Sequence, residues 1–146
     1  MLGELNAGRI EELLRAETIA RIGCIDEQGR VYVVPVCYAY DGTYLWGHGM
    51  DGAKLRAMRA RPEVCVEVEH VDDLSNWRSV IAWGRFEECH GPDREHGMSL
   101  LVERIMPLLK FPPHQPPPDP SGPKHGTVYR IKLSSRSGRF EDVRDD

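Results

Sequence analysis

Residues Tyr44-Leu45-Trp46-Gly47-His48-Gly49-Met50-Asp51-Gly52-Ala53-Lys54 pass from a strand-like run into the start of a helix. Glycines of this kind bring a backbone close to a ligand, and the first turn of a helix offers an anion N–H groups with no intrahelical partner. Lys54 stands in that turn, where a positive charge opposes the helix dipole unless something negative lies beside it. A phosphate contact resolves the conflict; a surface loop with a solvated lysine is the plainer reading of the same residues. His48, at the strand's end, fits either a hydrogen-bonded structural role or a titratable group beside a bound ring.

Working outward, the upstream chain reads as one helix and two strands. Gly8 to Glu17 carries Ile10, Leu13 and Leu14 as a one-sided apolar stripe. Strands Thr18 to Asp26 and Val31 to Asp41 follow, joined by Glu27-Gln28-Gly29-Arg30, and Asp41-Gly42-Thr43 turns the chain into strand Tyr44 to His48. Downstream, Ala53 to Arg61 reads as a short helix stopped by Pro62. Glu63 to Val71 alternates cleanly, with Val64, Val66 and Val68 on one face. Trp77 to Glu88 is a long strand in which Gly84 marks a bulge or a close backbone approach. Asp93 to Leu109 is a helix, 111–124 a stiff proline-rich arm, and Gly126 to Ser134 the last strand, with Gly138-Arg139 in a tail. The sum is a single domain over 1–146: mainly β with flanking helices, a six-stranded antiparallel barrel.

Composition narrows the classes. With 146 residues the chain buries a core without disulfides or a structural metal. A balance of 19 Lys+Arg against 23 Asp+Glu gives −4, so no nucleic-acid partner is expected. No run approaches a membrane span and the N-terminus lacks a signal pattern, which predicts a cytoplasmic protein with no membrane partner. Cys24, Cys37, Cys65 and Cys89 are widely spaced in strand-like runs and read as buried free thiols; no metal site is expected. The stretch Leu74-Ser75-Asn76-Trp77-Arg78-Ser79-Val80 places an aromatic, a guanidinium and hydroxyls where a loop enters a strand. Trp77 fits core or interface packing, and Arg78 and Ser79 fit a solvated edge. Together they also suit donation to ligand carbonyls or phosphate.

From Arg21-Ile22-Gly23-Cys24-Ile25-Asp26 through Val33-Val34-Pro35-Val36-Cys37-Tyr38, His48-Gly49, Lys54-Leu55-Arg56 and Asn76-Trp77-Arg78-Ser79-Val80, the chain resembles the pyridoxamine 5′-phosphate oxidase-like FMN-binding split β-barrel family, nearest its nitroimidazole-resistance branch. The resemblance implies a homodimer with two FMN sites, each built from both subunits. It assigns Lys54 to the flavin phosphate and the backbone of Val34, Pro35 and Val36 to the flavin ring. Arg78 and Ser79, beside Trp77, would approach from the other subunit, with His48 and Gly49 next to the flavin. The departures argue against oxidation of pyridoxamine phosphate: Ala53, Val33 and Tyr38 stand where those enzymes carry basic residues, and Ser79 where they carry glutamine. Arg56 is the candidate to replace the missing basic group.

The expected activity is therefore a flavin-dependent reduction of a small, electron-poor substrate, nitroaromatic or quinone in type, with His48 as the catalytic residue. The sequence carries no G-x-G-x-x-G fingerprint, so NAD(P)H would serve as a transient donor over the flavin. The alternative is a non-catalytic binding or carrier protein for flavin, haem or deazaflavin.

Overall fold

Asn6 sets the start of the first helix: its side chain accepts a hydrogen bond from the Arg9 N–H at 2.9 Å, a cap worth about 1 kcal/mol. The computed structural model describes residues 1–111, 113–114 and 125–143. Along the chain lie β1 (Leu2–Glu4), α1 (Ala7–Ala16), β2 (Ile19–Ile25), β3 (Val31–Cys37), β4 (Ala39–Tyr40), β5 (Tyr44–Gly49), α2 (Ala53–Ala60), β6 (Glu63–Asp73), β7 (Asn76–Glu88), α3 (Gly91–Ile105) and β8 (Thr127–Glu141). The strands form one antiparallel sheet in the order β3-β2-β6-β7-β8-β5-β4, with β1 added beside the end of β8. No ladder joins β3 to β5, yet the two approach one another. A circuit of six strands thus stays open at a β3/β5 seam: a split barrel.

Those six strands are the ones the sequence marks; β1 and β4 are additional. The expected strand Val31 to Asp41 breaks at Tyr38. Its side chain is fully buried and its hydroxyl donates to the Leu14 carbonyl at 2.7 Å, so the chain leaves β2 there and pairs with β5 through Ala39 and Tyr40. The last strand does not end at Ser134 but runs to Glu141, taking in Gly138 and Arg139. Its polar run Ser134-Ser135-Arg136-Ser137 hides this, because that stretch lies beside β7 with little apolar side chain to bury. Gly84 is both a bulge and a close approach: the β7–β8 register shifts between Trp83 and Gly84, and a Cβ at 84 would lie 2.7 Å from the Lys132 carbonyl oxygen. The third helix stops at Ile105, and Pro107 tightens the next residues, Met106–Leu108, into a single 3₁₀ turn. The proline-rich arm 111–124 lies almost wholly outside the described residues.

Leu13 and Leu14 of α1, Leu55 and Met58 of α2, and Ile22, Val66, Val68 and Ile131 of the strands fill the barrel. Fully burying such side chains contributes roughly 1.5–3 kcal/mol each. The outside of β4, β5 and β8 is covered by α3 through Ala39, Trp46, Met98, Leu101 and Val128. Alternation along a strand sorts the side chains: Leu45 and Tyr129 point inward, Trp46 and Val128 outward to α3. The same parity corrects one expectation. Cys24 and Cys89 are buried, but Cys37 is exposed and Cys65 half-buried, since both fall on the outward side of their strands.

The rest of the outer face is uncovered and mixed: an apolar row crosses it beside the Arg21 pairs with Glu67 and Glu69 and the Arg85–Glu63 pair. Val33, Gly23, Cys65 and Trp83 form a row across four strands, flanked by Ile19, Val31 and Ile81. Trp83 is 58% exposed and Val31 78%. No helix among the described residues is long and apolar enough to cross a membrane.

Candidate functional site

The open seam has two edges. On one side runs β3, the terminal strand of the sheet, with Val36 buried, Val34 half-buried and Pro35 exposed. On the other side β4 pairs only with Leu45 and Trp46, which leaves the Gly47–Gly49 edge of β5 free of a strand partner. Gly49 leads through Met50-Asp51-Gly52 into α2. Gly52 is the N-cap and supplies no side-chain bond, and the first turn contains no acidic residue. Backbone N–H groups at that terminus therefore lack a side-chain acceptor.

Lys54 lies in this first turn and is half-buried. Among the described residues it makes no ion pair and no hydrogen bond. Its ammonium sits 5.7 Å from the centroid of the Tyr129 ring, a cation–π contact worth about 0.5–2 kcal/mol, which only partly replaces lost water. Burial accordingly holds the Lys54 pKa below the ordinary lysine value. Gly49 leaves the space for it: a Cβ there would come within 3.1 Å of the Lys54 Nζ.

Tyr129 underlies the same corner. It is fully buried, its hydroxyl finds no partner among the described residues, and a Cβ on Gly47 would overlap its phenol ring. Burial pushes its pKa well above the usual phenol value. A partnerless buried hydroxyl is costly, and both it and the desolvated cation beside it leave polar capacity that a ligand can satisfy. Nothing marks Tyr129 in the sequence; Thr127-Val128-Tyr129-Arg130-Ile131 is an ordinary alternating strand.

His48 leaves β5 on the opposite face from Lys54. Its Nε2 lies 2.7 Å from the His125 carbonyl oxygen. A carbonyl can only accept, so Nε2 carries the hydrogen and donates it. The approach requires Gly126, whose φ is +93° and where a Cβ would lie 2.7 Å from the His48 Nε2. Beside His48 a cavity of about 200 Å³ opens between Cys37 and the Met98, Leu101, Val102 and Ile105 side of α3.

His48, Gly49 and Lys54 thus lie together, with His48 and Lys54 flanking the β5 edge from opposite faces, while β3 with Val34, Pro35 and Val36 runs along the other side of the seam and brings Cys37 beside His48. Trp77, Arg78 and Ser79 are not with them. Gly47 stands opposite Tyr129 on β8 and Ser79 opposite Arg139, a separation of ten residues, or about 33 Å of extended strand. Within one chain these groups do not share a ligand. Trp77 is further held by its indole N–H, which donates to Glu141 at 3.0 Å. Arg56, the candidate replacement cation, is paired with Glu27 at 3.0 Å and turned away from that role.

An open antiparallel barrel with a desolvated lysine and uncapped helix terminus at its seam belongs to the split-barrel class of cofactor-binding folds. The chain is a member of the pyridoxamine 5′-phosphate oxidase family, whose model matches residues 6–140. A FAD-binding protein of Mesorhizobium loti has the same fold at 28% identity and a TM-score of 0.75, over 97% of this chain and 99% of that one. A Bacteroides thetaiotaomicron protein assigned to 5-nitroimidazole antibiotic resistance matches in fold, with 16% identity and a TM-score of 0.74 over 96% and 87% of the two chains. An uncharacterized protein of Rhizobium meliloti (strain 1021) is 32% identical over 98 residues, covering 63% of this chain and 64% of that protein. The match therefore spans less than two thirds of that relative.

Proposed function

We propose that this protein is a homodimeric, FMN-dependent oxidoreductase that reduces a small, planar, electron-poor substrate of nitroaromatic or quinone type. The observation that carries the reading is Lys54: a half-buried cation at an uncapped helix N-terminus, without an anionic partner among the described residues. One lysine at one helix terminus suits the phosphate of a flavin nucleotide. The likeness to a FAD-binding protein supports a flavin as the ligand.

Bound flavin supplies the two-electron chemistry. The chain's own residues do the rest. Lys54 and the α2 terminus neutralise the phosphate. The free edges of β3 and β5 border the ring with backbone at Val34–Val36 and Gly47–Gly49. His48, oriented through Nε2 by the His125 carbonyl, meets the substrate with its remaining ring atoms.

The second copy answers two features at once. It covers the apolar row around Trp83, and it supplies Trp77, Arg78 and Ser79 from a neighbour where one chain cannot bring them. The four free thiols fit a reducing compartment such as the cytoplasm. NAD(P)H, with no binding motif of its own in the chain, is the transient donor.

The visible spectrum of freshly purified protein tests the reading first. Flavin bands are expected; a Soret band, or colourless protein that fails to quench added FMN, overturns it. Replacing His48 by alanine should keep the flavin and abolish NAD(P)H-dependent reduction of a nitroaromatic or quinone. Loss of flavin in that variant would make His48 structural.

A further inference from the structure

The cavity beside His48 is separate from the Lys54 corner, lying on the outer side of β5 beneath α3. We infer that it binds an uncharged aromatic molecule of one or two rings that carries a hydroxyl or ring N–H, held by that donor to His48 Nδ1. Its size comes first. A cavity of about 150 Å³ with apolar walls holds benzene, and this one, at about 200 Å³, has room for ring substituents or a second fused ring. It is too small for a whole flavin nucleotide.

The walls set the charge. None of the lining residues carries a formal charge, and the surfaces come from aliphatic and thioether side chains such as Leu101, Val102, Ile105 and Met98. An ammonium entering here would lose water and find no counter-ion, and a carboxylate would meet only the acceptor nitrogen of the neutral His48 ring. Methionine sulfur meets ring edges favourably, and two methionines, Met98 and Met106, line the cavity. That favours an aromatic ligand over an aliphatic one.

His48 sets the polarity. Its Nε2 hydrogen is committed to the His125 carbonyl at 2.7 Å, so the neutral ring presents Nδ1 only as an acceptor. The matching ligand group is a donor. This deepens the oxidoreductase reading by naming the ligand class that meets His48, and it rests on that reading for calling the ligand a substrate. Binding itself is tested without turnover.

Calorimetric titration of the flavin-loaded protein with 2-naphthol, 2-methoxynaphthalene and 2-naphthoate compares a neutral donor, a neutral non-donor and an anion on the same bicycle. Naphthol should bind tightest, the methoxy compound about fivefold weaker and the naphthoate at least about tenfold weaker. Replacing half-buried Ile105 by tryptophan should weaken naphthol at least about tenfold while flavin affinity stays within about threefold. Replacing His48 by leucine should erase the preference of naphthol over its methyl ether. Equal affinity for naphthol and naphthoate, or an Ile105→Trp protein that binds naphthol undiminished, overturns the inference. Loss of flavin from the Ile105→Trp protein also overturns it, since the cavity would then be the flavin's own ring site, and leaves the flavin reading intact. If no flavin binds to the unaltered protein, the oxidoreductase reading falls, and the same titrations on flavin-free protein decide the ring site alone.

Discussion

Replacing Gly97 by alanine sets two effects of opposite sign against each other in the helix that walls the His48 cavity. Gly97 lies inside α3, where alanine is the better helix former by about 1 kcal/mol. Against that, a Cβ at 97 would come within 2.7 Å of the Trp46 ring carbon Cζ3 and 3.0 Å of Val128 Cγ1. Trp46 cannot yield easily. It is 1% exposed, its indole N–H donates to Asp41 at 2.9 Å, and the Arg130 guanidinium lies 5.4 Å from its centroid. Relief must come from α3 lifting off β5 and β8, which loosens the Met98 and Leu101 contacts. Overpacking of this kind costs about 1–3 kcal/mol, and with Trp46 held by Asp41 and Arg130 the cost falls in the upper part, about 2–3 kcal/mol, leaving a net loss of about 1–2 kcal/mol after the propensity gain. Urea unfolding followed by tryptophan fluorescence and by circular dichroism measures it, with a Tm lowered by about 3–8 °C as a second readout. An unchanged or more stable variant would show that α3 does not pack against Trp46 as closely as described.

Other consequences are more quickly stated. His70 Nδ1 lies 2.7 Å from Glu17 and Nε2 3.0 Å from Asp72, and the hydrogen bonds to Asp72 and Glu17 raise its pKa above 6.5. A raised folded pKa gives stability that is fully present below the unfolded value near 6.5 and is lost as pH climbs through the folded one; thermal melts should show this decline in the parent and not in His70→Gln, and parallel pH curves for both would refute it. Removing the partnerless hydroxyl with Tyr129→Phe should leave the flavin-free protein as stable or up to about 1 kcal/mol more stable, whereas a loss above about 1 kcal/mol in urea unfolding would reveal a partner for that oxygen. Replacing Trp83 by arginine in the apolar row of the outer face should yield a monomer by light scattering and weaken flavin binding with it. A variant that stays dimeric would place the subunit contact elsewhere.

The barrel's six main strands were legible because each carries its own alternation and most are bounded by turn residues, as at Asp41-Gly42-Thr43 before β5. What escaped were pairings made at a distance. β1 exists because Leu2–Glu4 finds the end of β8, and the polar second half of β8 is a strand because β7 lies alongside it. Nothing within either segment announces this. At the site, the glycines and Lys54 could be read because their chemistry is local to one turn. Tyr129 and Gly126 could not, since an orphaned hydroxyl and a carbonyl aimed at His48 arise only when β8 is laid beside β5. Trp77, Arg78 and Ser79, which the resemblance assigns to the other subunit's site, lie on β7 beside the end of β8 that is far from Tyr129.

The most direct test is fluorescence titration of FMN into flavin-free protein and into its Lys54→Met counterpart, with oligomeric state checked in both. If the ammonium at the amino end of α2 holds the phosphate, methionine should cost about ten- to a hundredfold in affinity, the loss of one charged hydrogen bond worth about 1.5–3 kcal/mol, with assembly unchanged. Equal affinities for the two proteins would contradict the account at its centre.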